Sequence, residues 1–244
     1  MTFFFKENIF SLKSKFHFSK LKSLTVFNCF MPLLFAALVF GGCSNPESEQ
    51  QEYITVGALF PLTGESLEGG VRSIAGLKII KKKIEDEGGI LGKKLDIIIL
   101  NDRGDEDYAL RQYNILKEKG AIAIIGSSHP GVTSAIAKAV EKDAMLLVVP
   151  DTSDVPNANA TNNRKNVYYQ SPLSRDSHPR VVSYYTRKYR ALYGGRPQPT
   201  SGASYACAFM LTEAIKRAGN TNVDDIISAI WANESNVTKD KTIK

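Results

Sequence analysis

Residues 121–149 read AIAIIGSSHPGVTSAIAKAVEKDAMLLVV, and this stretch decides the fold. Ala121 to Ile125 is an apolar run of strand length. The turn-forming segment GSSHPG, residues 126–131, follows it, and then Val132, Ala135, Ile136, Ala139 and Val140 recur at helical spacing. Met145 to Val149 is apolar again. A helix between two strands returns the chain to the edge from which it started, so the two strands run parallel.

The alternation continues on both sides. Upstream, YITVGAL (53–59) predicts a strand and Phe60 to Gly70 a Pro/Gly loop. Apolar residues at 71, 74, 77, 80 and 84 predict a helix from Val71 to Glu87, stopped by Gly88 and Gly89. LDIIIL (95–100) is a buried strand, and Asp107 to Lys119 is a second helix ending at Gly120. Downstream, Asp151 to Asn166 is polar and rich in Asn, and Val167 to Gln170 is a further short strand. Three helices then follow with no strand between them, over 180–193, 202–218 and 223–231. Repeated βα units predict an α/β fold, a doubly wound parallel sheet with helices on both faces. In such sheets ligands sit beyond the carboxyl ends of the strands, which places the loops at 60–70, 101–106, 126–131 and 150–157 on one rim.

With 43% apolar and 23% charged residues in 244, the composition is globular. The 31 Lys and Arg exceed the 25 Asp and Glu by six, a balance that invites a nucleic-acid reading. Five of those lysines and one acid precede residue 43, which leaves 26 bases against 24 acids, so a nucleic-acid partner is not expected. The basic start leads into an apolar run from Leu24 to Phe40, broken by Asn28 and Pro32, and then Gly41-Gly42-Cys43. A membrane-spanning helix is the alternative to an export signal, but a span needs about 20 apolar residues, and the small pair before Cys43 fits processing. The stretch VFGGC resembles a bacterial lipoprotein signal, with Phe40 where Leu is usual; the resemblance implies a signal peptide over 1–42 and a lipid on Cys43. Residues 44–52, SNPESEQQE, lack apolar residues and suit a flexible tether, making 43–52 a linker. Cys29 would leave with the signal, so Cys207 stands alone in the folded part, without a disulfide partner. Its apolar helical surroundings predict a buried, inert thiol.

Catalysis has no visible carrier. Asp102 ends a strand as a receiver-domain phosphoacceptor does, but that chemistry needs clustered acids and a kinase that export removes. His17, His129 and His178 are isolated, whereas a metal needs three or four convergent ligands. Neither a GxSxG elbow nor a P-loop occurs. The run Lys81-Lys82-Lys83 reads as a solvated helix face. More informative is the loop before the third helix, where free N–H groups and the helix dipole bind a carboxylate without a cationic side chain. Ser127, Ser128, Gly131, Val132 and Thr133 surround that terminus, either as a simple cap or as a ligand site. Thr152 and Ser153 follow the next strand and offer hydroxyls or carbonyls to an ammonium group on the same rim. Paired anion and cation features suit a zwitterion such as an amino acid.

The motifs ITVGALFPLTG, EDEGGILGKKLDIIILND, AIAIIGSS, GVTSAIAKAVEKDAMLLVVP and NVYYQSPLSRD together resemble the N-terminal lobe of the periplasmic leucine/isoleucine/valine-binding protein family. These are the type I solute receptors of branched-chain amino acid ABC transporters. YYTRKYRALYGGRPQPTSGASYACAFMLTEAIKRAG is similar to the family's later helical region. The resemblance implies lobe one over 53–176 and, over 177–244, a returning helical segment that packs on it. It also implies that Thr152 and Ser153 meet the ligand's backbone groups. In the family a whole second lobe separates the equivalents of Asp176 and Arg180, and the chain continues past the equivalent of Trp231; the resemblance therefore implies lobe one with lobe two absent, whether as a genuine one-lobed protein, a pseudogene or a misassembled reading frame. Pro130 stands where the family's loop commonly has a Ser, and Gly69 where an aromatic packs over the ligand side chain. The expected function is capture of a small amino acid or amide for an ABC permease, by a membrane-anchored lipoprotein facing the periplasm or cell exterior. The competing classes are a lipoprotein that binds another protein through the surface lobe two would cover, and a non-functional remnant. No cofactor and no enzymatic activity are expected.

Overall fold

The structure, a computed structural model, describes residues 53–127, 129–150, 164–170, 173 and 178–241, with side chains as far as 232. Strand β1 is Tyr53–Phe60, followed by helix α1 (Leu67–Asp86), β2 (Lys94–Asn101), α2 (Glu106–Glu118), β3 (Ala123–Gly126), α3 (Pro130–Lys142), β4 (Leu146–Pro150), β5 (Val167–Gln170), α4 (Pro179–Tyr193), α5 (Pro199–Ala218) and α6 (Val223–Lys241). The five strands form one sheet in the order β2-β1-β3-β4-β5. All four pairings are parallel: Tyr53 lies opposite Lys94, Gly57 opposite Ile124, Ala123 opposite Leu146 and Leu147 opposite Val167.

Strand side chains alternate between two apolar layers, as the two-residue period of a strand requires. Ile54, Val56, Ala58 and Phe60 of β1, with Ala123, Ile125, Leu146, Val148 and Tyr168, pack on the face covered by α1, α5 and α6. Leu59, Ile124, Leu147, Val149, Val167 and Tyr169 pack on the opposite face against α2 and α3. Each fully buried Val, Leu, Ile or Phe is worth about 1.5–3 kcal/mol. Leaving either face bare would therefore forfeit more than the about 5–15 kcal/mol by which a domain is stable.

On the first face α1 lies over β2 and β1, whereas α5 reaches β3, β4 and β5. The two helices touch backbone to backbone. A Cβ on Gly76 would come within 2.1 Å of the Ser201 carbonyl oxygen and 2.8 Å of the Tyr205 nitrogen. Ser204 Oγ donates to the Ser73 carbonyl at 2.7 Å and ties the same crossing. Against it, α4 lays Tyr185, whose ring stacks on Tyr205 with centroids 4.6 Å apart. Burial pushes the Tyr185 hydroxyl up to about 12, opposed by its 2.7 Å hydrogen bond with the Ser201 hydroxyl. Cys207 is fully buried in α5.

Helix starts differ from the sequence expectation by a few residues. Helix α1 begins at Leu67 and includes Gly69 and Gly70, and α3, α4 and α5 each carry Pro in the first turn, where its missing N–H costs nothing. Helix α6 runs beyond Trp231 to Lys241. The lysine run is not one solvated face, because three consecutive helical residues sweep about 200° of the circumference. Lys81 Nζ donates to Asp96 Oδ1 of β2 at 2.9 Å, Lys82 pairs with Asp86 at 2.7 Å, and Lys83 pairs with Glu87 with its ammonium 6.0 Å from the Tyr184 ring centre.

The α1–α5 crossing yields a contrast within one helix. Gly76→Ala forces backbone apart and is expected to cost about 1–3 kcal/mol in urea unfolding. Gly69→Ala, where a Cβ meets nothing within 4 Å, is expected to gain about 0.5–1 kcal/mol from helix propensity. Equal effects at the two positions would contradict the close approach.

Candidate ligand-binding rim

Parallel pairing puts the carboxyl ends of β1, β2, β3 and β4 on one edge, so the loops after them share a rim. Asn101, the last residue of β2, fastens two of these loops. Its Oδ1 accepts the Leu62 N–H at 2.8 Å and the Arg103 N–H at 2.9 Å, and its Nδ2 donates to Thr63 Oγ1 at 2.9 Å. The PLTG segment after β1 is thus held in place by the ND segment after β2. Beside it Asp102 is fully buried; its Oδ1 accepts the Gly104 N–H at 2.8 Å, and its Oδ2 has no hydrogen-bond partner among the described residues. A carboxylate buried in this way is closed to a phosphodonor, which removes the physical basis of the receiver reading.

The loop between β3 and α3 is knitted from within. Ser127 is 2% exposed, and its Oγ accepts the His129 N–H at 3.2 Å. Its carbonyl accepts the Thr133 hydroxyl at 2.8 Å, so Thr133 is turned inward as a clamp on the loop. His129 occupies the N-cap position but makes no side-chain cap, and the helix proper opens with Pro130. With no cap from the His129 side chain, the first-turn amides attract an anion, and the Glu106 carboxylate is the one that approaches them within the structure.

Gly131 stands in that first turn and is there for a packing reason. A Cβ at this position would fall 2.4 Å from Glu106 Oε1, so the Glu106 carboxylate, from the start of α2, rests against the N-terminus of α3. That is a favourable place for a negative charge. Gly104 adjoins the same corner, where a Cβ would meet the His129 ring at 3.5 Å. The structure therefore gathers Ser127, Thr133 and Gly131 around the α3 terminus, with Asn101, Asp102 and Glu106 from the neighbouring loop. Ser128, Thr152, Ser153 and Cys43 lie outside the described residues.

Asn101 and Glu106 were not singled out in the sequence. Asn101 had a local signal, being a side chain with both donor and acceptor directly after a strand and before Asp102. Glu106 had none, since its neighbour Gly131 is 25 positions away and the contact exists only once α2 and α3 lie side by side. Among the described residues no group of His, Cys, Asp and Glu is arranged to hold a metal ion.

Comparison with known proteins agrees with this architecture. The chain is 26% identical over 121 residues to Leu/Ile/Val-binding protein homolog 1 of Brucella abortus, a match that covers 50% of this chain and 31% of that protein. The matched stretch thus spans about a third of the length of the curated relative. Among solved structures, a leucine-binding protein LivK from Thermotoga maritima superposes with a TM-score of 0.60 at 14% identity, over 72% of this chain and 87% of that one. The branched-chain amino acid transporter substrate-binding protein LivJ from Streptococcus pneumoniae, in complex with isoleucine, gives 0.61 at 11% identity, over 73% and 88%. At such identities these likenesses speak for the fold alone. The family is shown by the sequence itself: a model described as periplasmic binding protein matches residues 53–188, more than half of the chain, and the chain belongs to the periplasmic binding protein family.

Proposed function

We propose that this chain is a solute-binding protein, not an enzyme, that takes a small amino acid or amide on the carboxyl rim of its sheet and presents it to the permease of an ABC importer. The observation that carries the reading is the α3 N-terminus, where His129 makes no side-chain cap and Ser127 and the Glu106 carboxylate border the first turn on the rim of a parallel sheet. Such a terminus favours a carboxylate. Support comes from neighbours of the same fold, one in complex with isoleucine and another, an ABC transporter substrate-binding protein from Desulfitobacterium hafniense, in complex with Leu. In this proposal Ser127, Ser128 and Gly131 hold the carboxylate end, and Thr152 and Ser153 hold the ammonium.

The proposal extends to a one-lobed receptor. Strand β5 ends at Gln170 and α4 begins at Pro179, an interval too short for a second lobe. A two-lobed receptor at about 1 μM binds with about −8.2 kcal/mol; half of that energy corresponds to about 1 mM. A second reading, docking of another polypeptide on the rim, draws on Leu67 and Val71. They lie one turn apart at the start of α1 and are 43% and 52% exposed. Calorimetry on residues 44–244 separates the two. The receptor reading expects saturable millimolar binding of at least one amino acid, and complete absence of binding across the amino acids and their amides would reject it in favour of docking. A micromolar constant on the isolated monomer would reject the one-lobed form.

The anchoring is proposed from the basic start, the apolar run and VFGGC at 39–43, which would hold the protein on a membrane surface facing the periplasm or cell exterior. Radiolabelled palmitate is expected in the wild-type protein expressed in a bacterial host and absent from Cys43→Ala. Label retained by Cys43→Ala would refute the anchor at that residue.

A further inference from the structure

Helices α4 and α5, with Leu173 just past the carboxyl end of β5, line a half-open pocket of about 600 Å³ that shares no residue with the α3 terminus. Its size suits a small molecule. Tyr185 and Tyr205, both buried, form an aromatic wall with Val182, and Arg190 and Arg196 stand at the edge with Gln198. Neither arginine has an ion-pair partner among the described residues. From Pro179 to Arg196 the chain holds Arg180, Arg187, Lys188, Arg190 and Arg196 and no acid; Asp86 and Glu87 face Tyr184 from the end of α1, and the two arginines of the lining supply the attraction for an anion.

Two further observations point the same way. The Tyr205 hydroxyl, from the pocket lining, is buried without a hydrogen-bond partner among the described residues. Buried polar groups are ordinarily satisfied, and those that are not call for an explanation. Gln198 occupies the N-cap position of α5 but makes no side-chain cap, so that terminus adds a partial positive charge beside the arginines.

We propose that this pocket is a second binding site, distinct from the α3 terminus, for a small carboxylate with an aromatic body. The carboxylate pairs with Arg190 and Arg196, for which a planar guanidinium is the fitting partner. The apolar body lies along Tyr185 and Tyr205. Inorganic phosphate would leave the aromatic wall unmatched, and an uncharged aromatic would leave the arginines unmatched.

Two variants address the site independently of each other. Arg190→Gln with Arg196→Gln removes the charge from exposed side chains. Gly202→Leu fills the cavity from α5, where a Cβ comes no closer than 3.8 Å to the Tyr185 ring. Saturation-transfer NMR on the protein is run with benzoate as the probe, benzamide as the uncharged control and L-leucine as a reporter of the rim. Circular dichroism melting verifies that each variant is folded. The expected result is saturable benzoate binding to the wild type, weakened at least about tenfold, or about 1.4 kcal/mol, for benzamide and for the double arginine variant. Binding is lost in Gly202→Leu, and the L-leucine response is the same in all three proteins. Benzoate that fails to bind the wild type, binds the folded variants equally well, or is matched by benzamide overturns the proposal. A missing L-leucine response with these benzoate results would count against the rim and leave this site standing.

Discussion

A parallel sheet has two apolar faces, and neither can be left in water. That constraint organises the chain. Leu59 and Ile124 on one side, Val56 and Ile125 on the other, are fully or almost fully buried, so the sheet needs helices on both faces. Helices α2 and α3 complete one side from within the βα repeat. On the other side α1 covers β2 and β1, and the rest is covered by α5 with α6, which the chain supplies after the last strand. The Gly76 crossing follows from this division of the face. Two helices lie on a sheet of five narrow strands with backbone touching backbone, and a larger residue would push one of them off the strands it covers.

The same topology creates the rim. With every strand parallel, all the carboxyl ends arrive together, and their loops must share space without blocking one another. Asn101 holds the loop after β1 against the loop after β2, while Ser127, Thr133 and Glu106 order the start of α3. The result is a helix terminus with no side-chain cap of its own, set in a frame of short hydrogen bonds. Such pre-ordering would lower the cost of binding at the proposed site, because its polar groups need not be arranged anew.

The layered fold was legible because its signals are local. Apolar runs at 53–59, 95–100, 121–125 and 145–149 and helical spacing between them depend on neighbouring residues, and the strands and helices appear where those patterns lie. Helix starts were less legible: Gly69 and Gly70 read as loop, yet tertiary packing carries α1 through them, with the Gly70 Cβ position only 2.0 Å from the Pro61 carbonyl oxygen. The lysine run misled because adjacency in sequence was taken for one face of a helix. At the rim, Ser127 and Gly131 were visible as residue types suited to a helix terminus. Their actual contacts, an inward hydrogen bond and the Glu106 carboxylate, arise between elements and leave no mark in the sequence.

In the proposed reading, solute binds on the carboxyl rim of the sheet. An ¹⁵N-labelled sample of residues 44–244, titrated with L-leucine while backbone amide shifts are followed, tests it most directly. Saturable shifts are expected on the amides from Ser127 to Thr133 and on the adjoining PLTG loop at 61–64, with Gly202 and Tyr205 unmoved. Shifts confined to α4 and α5, or no shift at millimolar leucine and the other amino acids, would contradict it.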